Sequence, residues 1–154
     1  MSKSRFIFDD RERVGAWVAE RVGHECPWGG YYAMGAEVDG ELAVGIVFNN
    51  YTDSNATIHL AISKPTRLLH ELFDHAFVYA FDTCKLLRLT ALVDIENKKS
   101  LRIVERVGFR PEAVMVKAGD GGQDRVVLVL WPQNYRKGKM QWVKKAQKLP
   151  TMVH

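Results

Sequence analysis

His59 sits in the middle of the apolar run Ile58-His59-Leu60-Ala61-Ile62, where an ionisable ring needs a reason to be. An imidazole that is neutral near pH 7 can accept a proton directly or through a water. A half-buried histidine satisfied by a neighbouring strand explains the same pattern, and outweighs catalysis about two to one because an odd titratable group is only statistical evidence. Five residues on, Lys64-Pro65-Thr66-Arg67 precedes a long apolar-striped segment. Thr66 stands where a helix N-cap is expected, so the first-turn N–H groups with Arg67 and Lys64 form a candidate anion site. A third candidate is Asn97, three residues before Ser100. That spacing suits a helix cap, and it also leaves two polar groups for a ligand.

Strands and helices must bring these residues to one place. The stretch reads strand (Ala56–Ser63), helix (Thr66–Thr83), strand (Leu86–Asp94), helix (Lys98–Val107), then Gly108-Phe109. Short connections in a strand–helix–strand unit demand a right-handed crossover between neighbouring parallel strands. Leu69, Leu72, Phe73, Ala76, Phe77 and Ala80 form the helical stripe that lies on the sheet. Period two puts Thr57, His59 and Ala61 on one face and Ile58, Leu60 and Ile62 on the other. On the first face, the small neighbours Thr57 and Ala61 leave room around the imidazole. Gly108 closes the second helix at a position expected to be left-handed.

The run Asp94-Ile95-Glu96-Asn97-Lys98-Lys99-Ser100, continuing to Glu105-Arg106-Val107-Gly108-Phe109-Arg110-Pro111-Glu112, resembles the GNAT acetyltransferase superfamily. In it an Asn after the fifth strand opens a helix that a Gly-Phe closes, and the order of elements matches from about Tyr31 to Trp131. Lys64-Pro65-Thr66-Arg67-Leu68-Leu69 with an aromatic helix behind it is similar to a divergent branch common in tailed bacteriophages. The resemblance implies an α+β fold, a GNAT-like central mixed β-sheet of about six to seven strands flanked by helices. It also implies acetyl-CoA as cofactor and an amine acceptor, with a host protein among the options. The pantetheine arm would run along Ala61, Ile62 and Ser63, and the pyrophosphate would lie at Thr66, Arg67, Leu68 and Leu69. Asn97 and Ser100 would complete the donor site. His59 would be the base, and Ser100 would assist the thiolate.

Two departures from the family pattern stand out. Pro65 to Glu71 holds no Gly, although glycine is what lets backbone approach phosphate closely. Val104 stands where many members place a Tyr that protonates the leaving thiolate. They favour an alternative: an interaction protein on the same fold, with weakened catalysis, docking a cellular or host protein.

Taken from its start, the chain has a short apolar run Phe6–Phe8, then a helix capped by Asp9 or Asp10. Its inner face is Val14, Trp17, Val18 and Val22, and Gly23 ends it. The segment His24-Glu25-Cys26-Pro27-Trp28-Gly29-Gly30 is irregular; Trp28 is read as an aromatic tucked over the core edge before an acceptor-site residue. Asp39-Gly40 between Tyr31–Val38 and Glu41–Asn50 signals a two-residue hairpin. A second hairpin joins Glu112–Ala118 to Arg125–Trp131. His70, Glu71, Asp74 and His75 share helical spacing, but a solvated face explains them and no metal is expected. Tyr79, Phe77 and Phe81 read as core.

A length of 154 residues suits one domain, 1–131, with a basic tail, 132–154. All six cations after Trp131 stand without an acid, so the body holds 16 Lys or Arg against 18 Asp or Glu and is net −2. The net charge of +4 is therefore a property of the tail. Trp142, Val143, Ala146 and Leu149 among lysines make a weak amphipathic pattern, and without a stacking platform nucleic-acid binding is not favoured. Cys26 and Cys84 show neither metal spacing nor a disulfide framework. No signal peptide or membrane span is expected, and a cytoplasmic monomer or homodimer is the simplest setting.

Overall fold

The computed structural model describes residues 2–24 and 26–135. The basic segment, from Arg136 on, lies outside the described residues. Seven strands form a mixed sheet flanked by helices, as the sequence implies. The chain divides into two compact units, Met1–Leu86 and Leu87–His154. No helix among the described residues is long and apolar enough to cross a membrane.

The first unit contains β1 (Ser4–Ile7), α1 (Arg11–Val22), β2 (Tyr32–Val38), β3 (Glu41–Asn49), β4 (Asn55–Ile62) and α2 (Leu69–Phe77). Strands β1 to β4 pair in sequence order, each pair antiparallel. Asp39 and Gly40 both take positive φ, 53° and 84°, which is the backbone a two-residue hairpin needs. Asp10 caps α1 by accepting from Arg13 N at 3.3 Å, and Gly23 ends the helix in the left-handed region at φ 72°. Val14 and Val18 are completely buried on the sheet, with Ile7, Ala33, Leu42, Val47 and Ala61 around them. Val22, expected on this face, is 39% exposed. Gly15 is buried instead, beneath Tyr31 and Trp28, and at Val18 the helix lies close upon β3.

That closeness depends on a missing side chain. A Cβ at Gly45, on β3, would stand 2.5 Å from Val18 Cγ2. Glu37 on β2 ties the same helix from outside. It accepts from Arg13 Nη1 at 2.8 Å and from Arg5 Nε on β1. These two guanidiniums, Arg5 first, hold its carboxyl below the usual range despite the opposing effect of burial.

The helix expected to begin at Thr66 begins at Leu69. Thr66 Oγ1 accepts from Leu68 N at 3.2 Å and Thr66 O from Leu69 N at 3.3 Å, so Thr66 closes a turn that precedes the helix. Leu68 occupies the N-cap position and provides no side-chain cap. At its far end α2 widens into a π-helical stretch, Val78–Thr83. Phe77 and Phe81 are core as expected, whereas Tyr79 is half-buried and meets Tyr51 hydroxyl to hydroxyl at 2.7 Å. His75 packs edge-on against Phe6 and Phe8, which accounts for one histidine of that helix without a metal.

The second unit contains β5 (Arg88–Asp94), α3 (Lys98–Val107), β6 (Arg110–Met115) and β7 (Arg125–Leu130), with β7 antiparallel to both β5 and β6. The sixth strand begins and ends earlier than expected because the chain turns at Lys117, φ 60°, whose N–H donates to Asp124. Asn97 Oδ1 accepts from Ser100 N at 3.2 Å and caps α3. Gly108 has φ 129°, a positive value outside the left-handed helical well, and Phe109 behind it is 2% exposed. Beyond residue 131 a helical turn continues and buries Tyr135.

Gly45→Ala should therefore lower stability by about 1–3 kcal/mol, the usual cost of overpacking, although Ala is otherwise the better strand residue. Adding Val18→Ala should recover part of the loss in urea unfolding. An unchanged midpoint in Gly45→Ala would show that α1 does not press on β3.

Candidate active site

On the α1 face, β4 presents Thr57, His59 and Ala61 opposite Asn49, Val47 and Gly45 of β3. Ala61 is buried in the α1 core, so the room expected beside it is taken by the helix. His59 faces the other way along the strand, toward Asn49 and the loop after α1.

The carbonyl of Trp28 can only accept, and Asn49 Nδ2 donates to it at 3.3 Å. The amide therefore turns Oδ1 toward His59 Nε2, 2.7 Å away. An acceptor oxygen requires a donor, so Nε2 carries the proton and Nδ1 keeps the lone pair. Nδ1 makes no hydrogen bond among the described residues. Asn49 itself is 3% exposed, a buried amide with both ends employed.

Trp28 forms the wall of this site. Its indole Nε1 donates to Gly15 O at 3.0 Å, and its ring centroid lies 4.7 Å from that of His59. A Cβ at Gly15 would come within 3.3 Å of that indole nitrogen, so the glycine lets Trp28 lie over α1. Trp28 thus packs over the core edge, as read from the sequence, and lines the histidine as well. His24 stacks on its ring at 4.0 Å, nearly parallel, and its Nε2 is buried without a hydrogen-bond partner among the described residues.

Burial lowers the His59 pKa from 6.5 to about 4, and His24 pushes it in the same direction. His59 is consequently a neutral ring with one bare nitrogen over most of the pH range. It is also a weak base. Taking a proton from an alkylammonium of pKa about 10 would cost ~8 kcal/mol, so it suits a nitrogen already made acidic by bond formation.

The candidate donor-site residues of the first unit fall differently from expectation. Ser63 N donates to Ala43 O at 2.8 Å, and Ser63 Oγ to Leu42 O at 3.1 Å. Hydrogen-bonded pairs alternate along an antiparallel ladder, so the N–H groups of Ala61 and Ser63 are both engaged with β3. Of the three, Ile62 alone points its N–H away from β3. Thr66, Leu68 and Leu69 share the turn described above. Arg67 is exposed and makes no ion pair or hydrogen bond among the described residues. In the second unit, Asn97 is occupied in capping through Ser100 N.

Asn49 and His24 do not stand out in the sequence. Asn49 reads as the end of a strand, and only the register with β4 brings it to His59.

A family profile described as Acetyltransferase (GNAT) domain matches residues 5–110. The chain belongs to the GNAT acetyltransferase family. Solved structures with the same fold include a dodecameric spermidine N-acetyltransferase from Vibrio cholerae at 15% identity. That match covers 87% of this chain and 95% of the other, with a TM-score of 0.67. A candidate acetyltransferase from T. thermophilus shares 19% identity over 84% of this chain and 72% of its own, also at 0.67. No curated protein sequence matches significantly. In this GNAT chain Val104 is 8% exposed, turned into the core from α3.

The lowered His59 pKa sets a pH dependence. Between pH 6.5 and about 4 the unfolded chain binds a proton at residue 59 that the folded chain refuses, so stability falls with acid across that window. Above it this group has no effect. His59→Gln should lose less stability than the parent over the same acid range. Parallel decline of the two proteins would show that His59 is not held neutral by burial.

Proposed function

We propose that this chain is an acetyl-CoA-dependent N-acetyltransferase that acts on a primary amine by direct transfer in a ternary complex. The observation that carries the reading is His59, a neutral imidazole whose Nε2 is committed to Asn49 and whose Nδ1 is bare. Acetyl-CoA supplies an activated thioester. The amine nitrogen bonds to its carbonyl carbon, the carbon–sulfur bond breaks, and coenzyme A leaves as thiolate. His59 Nδ1 accepts the proton shed by nitrogen once the new bond makes it acidic, then passes it through solvent toward the thiolate. Trp28, whose ring centroid lies 4.7 Å from that of His59, would wall the place where the amine lies.

Arg67 and the first turn of α2, which lacks a side-chain cap, would take the pyrophosphate. The Ile62 N–H, which points away from β3, would serve the pantetheine arm. Asn97 keeps its cap and offers its remaining polarity, and Ser100 would assist the thiolate in place of the tyrosine that Val104 replaces. Spermidine is the first acceptor to test, alongside lysine peptides, because a fold neighbour bears its name. The inward-facing Val104 and the glycine-free Pro65–Glu71 segment support a second reading. On it, the chain is an interaction protein with weakened catalysis, docking a cellular or host protein through its Trp28 loop and basic tail.

Turnover of acetyl-CoA separates the readings, measured as acetylated product by mass spectrometry. His59→Gln should reduce turnover about 10²–10⁴-fold, the range for a lost general base, and leave acetyl-CoA affinity nearly intact. Protonation of His59 should not limit the rate until pH falls to about 4. Arg67→Ala should weaken acetyl-CoA binding by about 1–3 kcal/mol in calorimetry. No binding by the parent would remove the enzyme reading, and full turnover in folded His59→Gln would leave solvent as the base.

A further inference from the structure

We infer that the cleft between α1 and the β2–β3 turn is a second binding site, which takes a nucleoside mono- or diphosphate. The inference goes beyond the proposed acetyl transfer and stands whether or not that reaction occurs.

The cleft has a volume of about 550 Å³, within the range of small-ligand sites. One wall is a single helical face of α1, Arg13, Trp17 and Arg21 at successive turns. The other includes Leu42 and, from the end of β4, Ser63 and Lys64. Three cations face one acid, Glu41, whose side chain is 81% exposed and meets Lys64 at 3.4 Å. So open an ion pair contributes little, and an arriving anion displaces Glu41 at small cost.

The two arginines are also held in place. Arg13 donates to Glu37 and, at 3.0 Å, to Gly40 O. Glu37 also binds Arg5, so two guanidiniums share one carboxylate and a positive charge remains. Arg21 lies with its Cζ 3.9 Å over the Trp17 ring, and no carboxylate among the described residues pairs with it. A guanidinium lying over an indole offers its outer side to a base, with N–H donors at its rim for phosphate. Inorganic phosphate would use the charges and leave most of the volume empty. A nucleic-acid strand would need positive charge running on, and α1 carries Glu12 and Glu20 beside its cations.

The test is titration calorimetry of the full chain with AMP and ADP at low salt. ADP should bind, and Arg21→Gln and Lys64→Gln, both surface changes, should each weaken it about tenfold, the scale of a charge-assisted contact. Arg67→Ala and saturating acetyl-CoA should leave ADP affinity unchanged, which separates this cleft from the acetyl-donor site. The proposal is overturned by absence of ADP binding, by binding insensitive to both variants, or by displacement with acetyl-CoA. Inorganic phosphate binding as tightly as ADP, or oligonucleotide affinity that grows with length, would overturn it equally.

Discussion

The first unit depends on how closely α1 lies on β2, β3 and β4. Val14 and Val18 are completely buried there, and each contributes about 1.5–3 kcal/mol as it leaves water. The contact exists because β3 has no side chain at Gly45 and β4 has only a methyl group at Ala61. It also places the Gly15 carbonyl where the Trp28 indole can donate to it. Trp28 in turn offers its own carbonyl to Asn49, and Asn49 orients His59. A packing constraint at one end of the helix thus becomes a tautomer at the middle of a strand.

The same burial decides what the histidine is good for. Removed from water and set beside His24, the ring gives up its proton at far lower pH than a free imidazole. It is always ready to accept a proton and holds it weakly. Such a group suits the transfer proposed above, in which the attacking nitrogen becomes acidic on the way. Glu37 shows the opposite treatment of buried charge on the same face: it stays ionised because two guanidiniums reach it.

The ladder between β3 and β4 imposes a further limit. Alternation of hydrogen bonds assigns every second N–H of β4 to β3, which removes Ala61 and Ser63 as donors, while Ile62 points its N–H away from β3. Family membership does not alter that geometry. Together with a helix that starts at Leu69 and a glycine-free approach to it, the ladder leaves the anion-holding role proposed above to Arg67 and the helix end.

Features whose partners lie within a few residues were legible in the sequence: the Asp39-Gly40 hairpin, the Asp10 and Asn97 caps, the end of α1 at Gly23, and the Gly108-Phe109 closure. Each is settled by backbone torsion or by one short side chain. The alternation of β4 was legible too, so the face that His59 takes follows from the sequence. Thr66 misleads at the same short range, because a hydroxyl can bond the N–H two residues on as readily as it can start a helix. What only the tertiary structure decided is the company His59 keeps. Asn49, Trp28 and His24 are 10, 31 and 35 residues away, and they meet it through strand register and the depth at which α1 packs. Local sequence does not encode either quantity; each emerges when many side chains find the one arrangement that fills the core.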